Sequence, residues 1–252
     1  MVDNDILEKA EEKENETLKK IDNTNNDLDS WNPKTKLGKL VKEGKITSIE
    51  QVFSQGYKIL EPEVVDILLP NLKYNYIKLS LSRGKYRRPK LVKMVQRKTA
   101  EGNKTSWVSI AAVGNENGYI GVGVGKSWDV QLSMEKALRI AKLNIIPIAR
   151  GCGSWECSCR TPHSLPYRVD GSSGSVRVTL LPAPKGIGLV ASEEMKKILK
   201  LAGIRDLWMK SFGQTRKRIN FAVATYNALK KTLDYRIRPE YKEISGIKIG
   251  FA

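Results

Sequence analysis

The chain has 252 residues, 40% of them hydrophobic, enough for one sizeable core or two small ones. Lysine and arginine number 44 against 27 acids, giving a net charge of +17. Three cysteines do not describe a disulfide scaffold, no apolar run reaches membrane-span length, and the start MVDNDILEKAEEKENE lacks a secretory signal's basic and apolar segments. A reducing, intracellular (cytoplasmic) setting is expected.

The charge is unevenly laid out. Residues 1–30 carry −6, and the rest of the chain carries +23. An acidic, weakly apolar leader is expected to be disordered, with ILEKAEEKENETLKKI able to form a transient helix. The basic body points to a polyanion, nucleic acid ahead of an anionic membrane or a merely solvated surface.

After the leader, Thr47 or Ser48 can cap a short helix anchored by Val52 and Phe53. EPEVVDILLP reads as a second helix, with Pro62 near its start, Pro70 as its stop, and Val64, Ile67 and Leu68 on one apolar face. KLVKMVQRK is a strand, GNKTSW a separator, and WVSIAAVGNENGYIGVGVG two strands around a turn. In SWDVQLSMEKALRIAKLNII, Val130, Met134, Ala137, Leu138 and Ala141 recur at helical spacing. A small sheet with helices on one face is the natural outcome.

IARGCGSWECSCRTPHSLPYRVDGSSGS is rich in glycine, cysteine and proline and leads into a second domain. VRVTLLPAP is a strand, and a helix follows between Ser192 as N-cap and Gly203 as C-cap. IRDLWMKSFG is a further strand, INFAVATYNALKKTL the last amphipathic helix, and the tail after Tyr235 is expected to be extended.

GYIGVGVGKS, Gly118 to Ser127, ends as a nucleotide-binding P-loop does, but the position five before Gly125 is Ile120, not glycine. Gly121, Gly123 and Gly125 alternate with valine, which gives an extended segment with one bare face. A bare face lets another backbone approach, that of RNA or of a packed helix. Lys126 stands where a helix start can add its amides to phosphate binding.

Three basic clusters stand out: Arg83, Lys85, Arg87, Arg88 and Lys90 around Tyr86; Arg97, Lys98 and Lys104; and Arg216, Lys217 and Arg218. One charge run alone is usually a solvated face. Three in so basic a body favour RNA contacts, with arginine forking onto phosphate and tyrosine stacking on a base. Trp107 and Trp128 read as packing residues, half buried and against the sheet respectively.

Cys152, Cys157, Cys159 and His163 fall within twelve residues. Three thiolates and an imidazole can make a closed tetrahedral structural zinc site, although C-x4-C-x-C-x3-H departs from the usual finger spacing; free thiols with His163 on a phosphate or carbonyl are the plainer reading. No water-activating carboxylate accompanies the cluster, and no third group completes a Cys-His nucleophile. Glu193 and Glu194 are acids at a helix start rather than a general-acid pair. No motif makes the chain an enzyme.

WVSIAAVGNENGYIGVGVGKSWDVQLSMEKALRIAKLNII, RGCGSWECSCRTPHSLPYRVDGSSGSVRVTLLPAPKGIGLV and LAGIRDLWMKSFGQTRKRINFAVAT resemble the small-subunit ribosomal protein S5 family. WNPKTKLGKLVKEGKITSIEQVF resembles its archaeal or eukaryotic-type N-terminal extension, and the cysteine-bearing connector looks archaeal. The resemblance implies an α/β (α+β) fold: a double-stranded-RNA-binding-like domain over 70–145, then a ribosomal α/β domain of left-handed βαβ topology over 146–235. A leader over 1–30, a helical extension over 31–69 and an extended tail over 236–252 complete the chain. It further implies a non-catalytic protein of the small subunit that binds ribosomal RNA, supports assembly and accurate decoding, and lines the region where messenger RNA enters. Proteins of the S4 and S8 families are its implied neighbours. Archaeal relatives commonly carry Gly-x-Cys-Gly where DGSSGSV has Ser173, so a four-thiol metal set would need His163 as substitute. Other readings are a free-standing double-stranded-RNA-binding protein and an RNA-modifying enzyme.

Overall fold

The computed structural model describes residues 31–81, 89–157, 159–235 and 237–250. The disordered-leader expectation and the candidates Arg83, Lys85, Tyr86, Arg87 and Arg88 lie outside the described residues. The chain divides into two units, at Leu68 and Leu69.

The described part of the first unit is helical: α1 (Lys36–Lys42), α2 (Ile49–Ser54) and α3 (Pro62–Leu68). Thr35 caps α1, its hydroxyl accepting from Gly38 N at 3.0 Å. Ser48 occupies the N-cap of α2 without a side-chain bond, and Gln51 Oε1 reaches back to Thr47 N. Val52 and Val64 are buried as expected, but Ile67 faces solvent and Val65 replaces it on the buried face of α3. Glu61 fastens the start of the unit to α3 by accepting from Lys34 N (2.9 Å) and Thr35 N (2.8 Å).

The second unit opens with β1 (Lys73–Tyr76) and the short pair β2 (Ser80–Leu81) and β3 (Pro89–Lys90). Then come β4 (Lys93–Thr99), β5 (Gly102–Gly114), β6 (Tyr119–Ser127), α4 (Val130–Leu143), β7 (Ile146–Pro147) and β8 (Ala149–Arg150). A five-stranded sheet runs β1-β5-β6-β7, with β4 on the far half of β5. GNKTSW is therefore strand, not separator: β5 begins at Gly102, and Thr99 pairs with Gly102 across a tight reversal. The GNENG turn is held by Asn115, whose Oδ1 accepts from Asn117 N (2.9 Å) and Tyr119 N (3.0 Å).

The bare strand face meets a helix. A Cβ on Gly123 would lie 2.3 Å from both Ala137 O and Ala141 N, and Gly121 and Gly125 abut the same helix at Ala141 and Ser133. Small residues on both sides let α4 sit against the backbone of β6, and Ser109 Oγ donates to Ser133 O at 2.7 Å beneath it. The buried stripe of α4 is accordingly Ser133, Ala137 and Ala141, while Val130 is exposed.

The other sheet face is covered too, contrary to the one-sided expectation. Ile110, Ala112, Ile120 and Val122 join one hydrophobic cluster with Met195, Ile198, Leu199 and Leu201 from the C-terminal half. That half contains β9 (Val169–Ser173), β10 (Val176–Pro182), β11 (Leu189–Val190), α5 (Glu193–Leu201), β12 (Leu207–Phe212) and α6 (Arg218–Lys230). Its sheet order is β11-β12-β10-β9, with β11 and β12 parallel across α5. Ala202, not Gly203, is the C-cap of α5, and Gly203 follows it with φ +80.

The tail is not simply extended. α7 (Pro239–Ser245) forms, Gly246 ends it in the left-handed region, and β13 (Lys248–Ile249) pairs antiparallel with β8. Arg238 with Pro239 starts a helix that has no long apolar run, so hydrophobic periodicity gives no sign of it. The fold is mixed α/β throughout this unit.

Candidate functional site

The chain leaves β8 at Gly151, which pairs with Ser164 through two backbone bonds of 2.9 and 3.0 Å. These bonds close the base of a loop that holds the cysteines. Arg160 adopts φ 53, a left-handed reversal between Cys159 and His163. As a result one ligand atom from each of Cys152, Cys157, Cys159 and His163 lies within 4.8 Å of the others. Cys152 and His163 are buried, and Cys157 and Cys159 partly so.

A tetrahedral zinc with Zn–S bonds of about 2.3 Å sets its sulfurs about 3.8 Å apart. The four ligand atoms, all within 4.8 Å of one another, lie near that spacing. Asp206 Oδ2 stands 2.8 Å from His163 Nδ1 and is itself held by its Oδ1, which accepts from Gly186 N (3.0 Å) and Gly188 N (2.8 Å). A carboxylate there accepts a hydrogen bond from Nδ1–H and leaves the Nε2 lone pair for a metal. His163 Nε2 lies 3.9 Å from Cys157 Sγ. Burial pushes the Cys152 thiol up to about 11, whereas its bond with the Thr161 hydroxyl holds Cys159 down to about 6. Metal loading would require Cys152 to give up its proton. The residues present can coordinate a metal ion. Ser173 ends β9 opposite Val176, and the imidazole of His163 completes the cluster.

The second candidate surface is basic. The outer half of β5 projects with β4 as a two-stranded ribbon on which Arg97, Lys98 and Lys104 are exposed, Arg97 directly opposite Lys104. Lys126 is exposed on β6 opposite Val108, which faces Lys93 across the next strand, so one row crosses three strands with a lysine at each end. The helix after it begins at Asp129, an acid at the N-cap rather than an empty cradle. Lys90 lies on β3, exposed, at the foot of the segment 82–88.

The third cluster divides. Arg216 and Lys217 are exposed, but Arg218 is half buried and its Nη1 donates to Lys78 O at 2.8 Å. Arg216 and Arg218 line a cleft of about 1080 Å3 with Lys78, Ser80, Ser192 and Ser211. The cleft reaches Ser80 of β2, which pairs with Lys90 of β3. Glu194 is structural: Oε2 accepts from Lys78 N at 2.7 Å and from Lys197 Nζ at 3.1 Å. Trp107 is half buried as expected; Trp128, expected against the sheet, is 76% exposed.

Two contributors were not legible in the sequence. Asp206 is 43 positions from His163, with no motif linking them. Trp155, 91% exposed between the first two cysteines, reads as an ordinary loop residue.

Fold and surface define a basic α/β protein with an internal cysteine–histidine cluster and no helix, among the described residues, long and apolar enough to cross a membrane. Residues 91–149 match the family model "Ribosomal protein S5, N-terminal domain" and 171–242 match "Ribosomal protein S5, C-terminal domain". The chain is 55% identical over 223 residues to the small ribosomal subunit protein uS5 of Nanoarchaeum equitans, covering 88% of this chain and 96% of that one. It is 51% identical over 211 residues to the uS5 of Pyrobaculum aerophilum (84% and 91% covered) and 52% identical over 211 to that of Pyrobaculum calidifontis (84% and 98%). The chain belongs to the ribosomal protein S5 family. Its cysteine–histidine cluster falls between the two matched segments.

Proposed function

We propose that this chain is a structural constituent of the small ribosomal subunit that binds ribosomal RNA and aids subunit assembly. The observation that carries this is the identity to named small-subunit proteins over nearly their whole length. The protein performs no covalent chemistry. It holds cations at fixed separations, offsetting phosphate repulsion where RNA segments fold closely.

We propose the finer assignments from what the family resemblance implies and from where the basic residues lie. β1 and β4–β6 with α4 form the double-stranded-RNA-binding-like domain, over 70–145. The parallel β11-α5-β12 unit belongs to the second domain, over 146–235, with left-handed topology. Arg97, Lys98 and Lys104 on the ribbon, Lys126 and Lys90, and Arg216 and Lys217 beside the cleft are the RNA contacts, together with Arg83, Lys85, Tyr86, Arg87 and Arg88. Arg218 contributes chiefly by holding the cleft wall. Trp155 offers an exposed face on which a base can stack. Proteins of the S4 and S8 families are neighbours, and the basic face lines the region where messenger RNA enters, with an effect on decoding accuracy.

Native extract separated on a sucrose gradient, with the protein located by mass spectrometry, tests this. Near-stoichiometric recovery with small subunits after a moderate salt wash is expected. Recovery as free protein would leave a free-standing duplex-RNA binder ahead.

A further inference from the structure

We propose that Cys152, Cys157, Cys159 and His163 hold one structural zinc ion, and that this centre is a clasp fixing the C-terminal segment 239–250 to the connector. Four ligand atoms within 4.8 Å, from one closed loop, supply a complete tetrahedral set with no place left for water. Zinc takes the three sulfurs as thiolates, releasing their protons to solvent, and the Nε2 lone pair of His163. Asp206 is the outer partner that fixes the imidazole's tautomer and orientation, as metal-bound histidines require. The bound centre carries one net negative charge. Arg150, Lys185 and Arg205 line the cleft that His163 and Asp206 share, and they offset it.

The clasp follows from where the tail lies. Cys152, a ligand, donates its backbone N–H to Ser245 O at 2.9 Å. Gly246 packs so closely on Arg160 O that a Cβ there would overlap it, and Gly151 packs on Ile247. The tail therefore touches the loop at both sides of the cluster. Beyond it, Lys248 and Ile249 pair with Arg150 and Ala149, Gly250 N donates to Ile148 O, and Arg150 Nη2 donates to Gly250 O at 3.2 Å. The short α7 has exposed Tyr241 and Ile244, and among its described side chains none is buried to hold the helix in place by itself. Its position depends on the loop, and the loop's shape depends on the metal.

The test uses the full chain, purified under reducing conditions from zinc-supplemented medium and passed through gel filtration. Elemental mass spectrometry should find one zinc per chain, and cobalt exchanged into the site should show the thiolate charge-transfer and tetrahedral ligand-field bands. Substoichiometric zinc, or cobalt without those bands, overturns the site. Hydrogen exchange then reads the clasp. Chelation should speed exchange at Cys152, Lys248 and Gly250 by about tenfold or more while α4 is unchanged. The double variant Cys157→Ser, Cys159→Ser should reproduce this without chelator; if it does not fold, the wild-type chelator titration decides. Zinc present with tail exchange unmoved overturns the clasp. Neither readout involves RNA, so both are independent of the ribosomal assignment.

Discussion

Asp206 touches none of the sulfurs, yet it governs the cluster's fourth ligand. Its carboxylate is oriented by two glycine amides before it meets His163 Nδ1. Asp206→Asn keeps the shape but can present its NH2 group to Nδ1, which favours the wrong imidazole tautomer. The expected result is zinc affinity lower by about 10–100-fold, measured by chelator competition. Gly123 is the contrasting case, where the absence of a side chain is what matters. Gly123→Ala places a methyl group 2.3 Å from Ala137 O and Ala141 N, both backbone atoms of α4. The helix must lift, and a loss of about 1–3 kcal/mol is expected in urea unfolding. The alternating glycines were visible in the sequence, but not what fills their face. RNA backbone and helix backbone ask the same thing of a strand, and only the fold shows that α4 is there.

The β4–β5 ribbon is the element whose chemistry is easiest to isolate. Along β4, Lys93, Arg97 and Lys98 are exposed, and β5 is exposed from Gly102 to Thr105 before its buried run begins. A ribbon that contributes so little to the core can lose its charges without unfolding the protein. The triple variant Arg97→Ala, Lys98→Ala, Lys104→Ala should leave the melting temperature within a degree or two and weaken binding to duplex RNA. Its log–log salt dependence should flatten by about 0.7–0.9 for each phosphate that the variant no longer neutralises. Weaker binding with an unchanged slope would place these cations off the RNA. The sequence marked these residues as basic but treated GNKTSW as a separator, because glycine, asparagine and serine are turn formers wherever no partner strand competes. In the structure β4 supplies that partner, and pairing overrides propensity. The same limit hid α7, whose existence is tied to tertiary contacts rather than to periodicity.

At the scale of the second unit, the question is whether its two sheets behave as one body. The hydrophobic cluster is continuous from Ile77 and Ile110 through Met195 and Leu199 to Leu229. Around it, polar ties cross between the halves, among them Glu194 to Lys78 N, Arg218 to Lys78 O, Glu116 N to Leu201 O at 2.9 Å, and Tyr226 OH to Asn144 O at 2.7 Å. Lys78 therefore has both backbone groups satisfied by side chains from the far half. Sequence reading finds the strands and helices of each half because their periodicity is local. It does not find this joint, since Glu194 and Lys78 are 116 positions apart and Glu194 looks like any acid in a first helical turn. Removing the joint should therefore loosen both halves rather than α5 alone. Glu194→Ala leaves Lys78 N without its acceptor and should cost about 1–3 kcal/mol. For a unit of this size each kcal/mol lowers the melting temperature by about 2–4 °C. Hydrogen exchange should then accelerate together in β5 and β10, which belong to different sheets. If only α5 and its neighbours lose protection while β5 keeps its native rate, the halves are independent domains resting against each other. In that case the continuous core would be a contact surface rather than a shared interior.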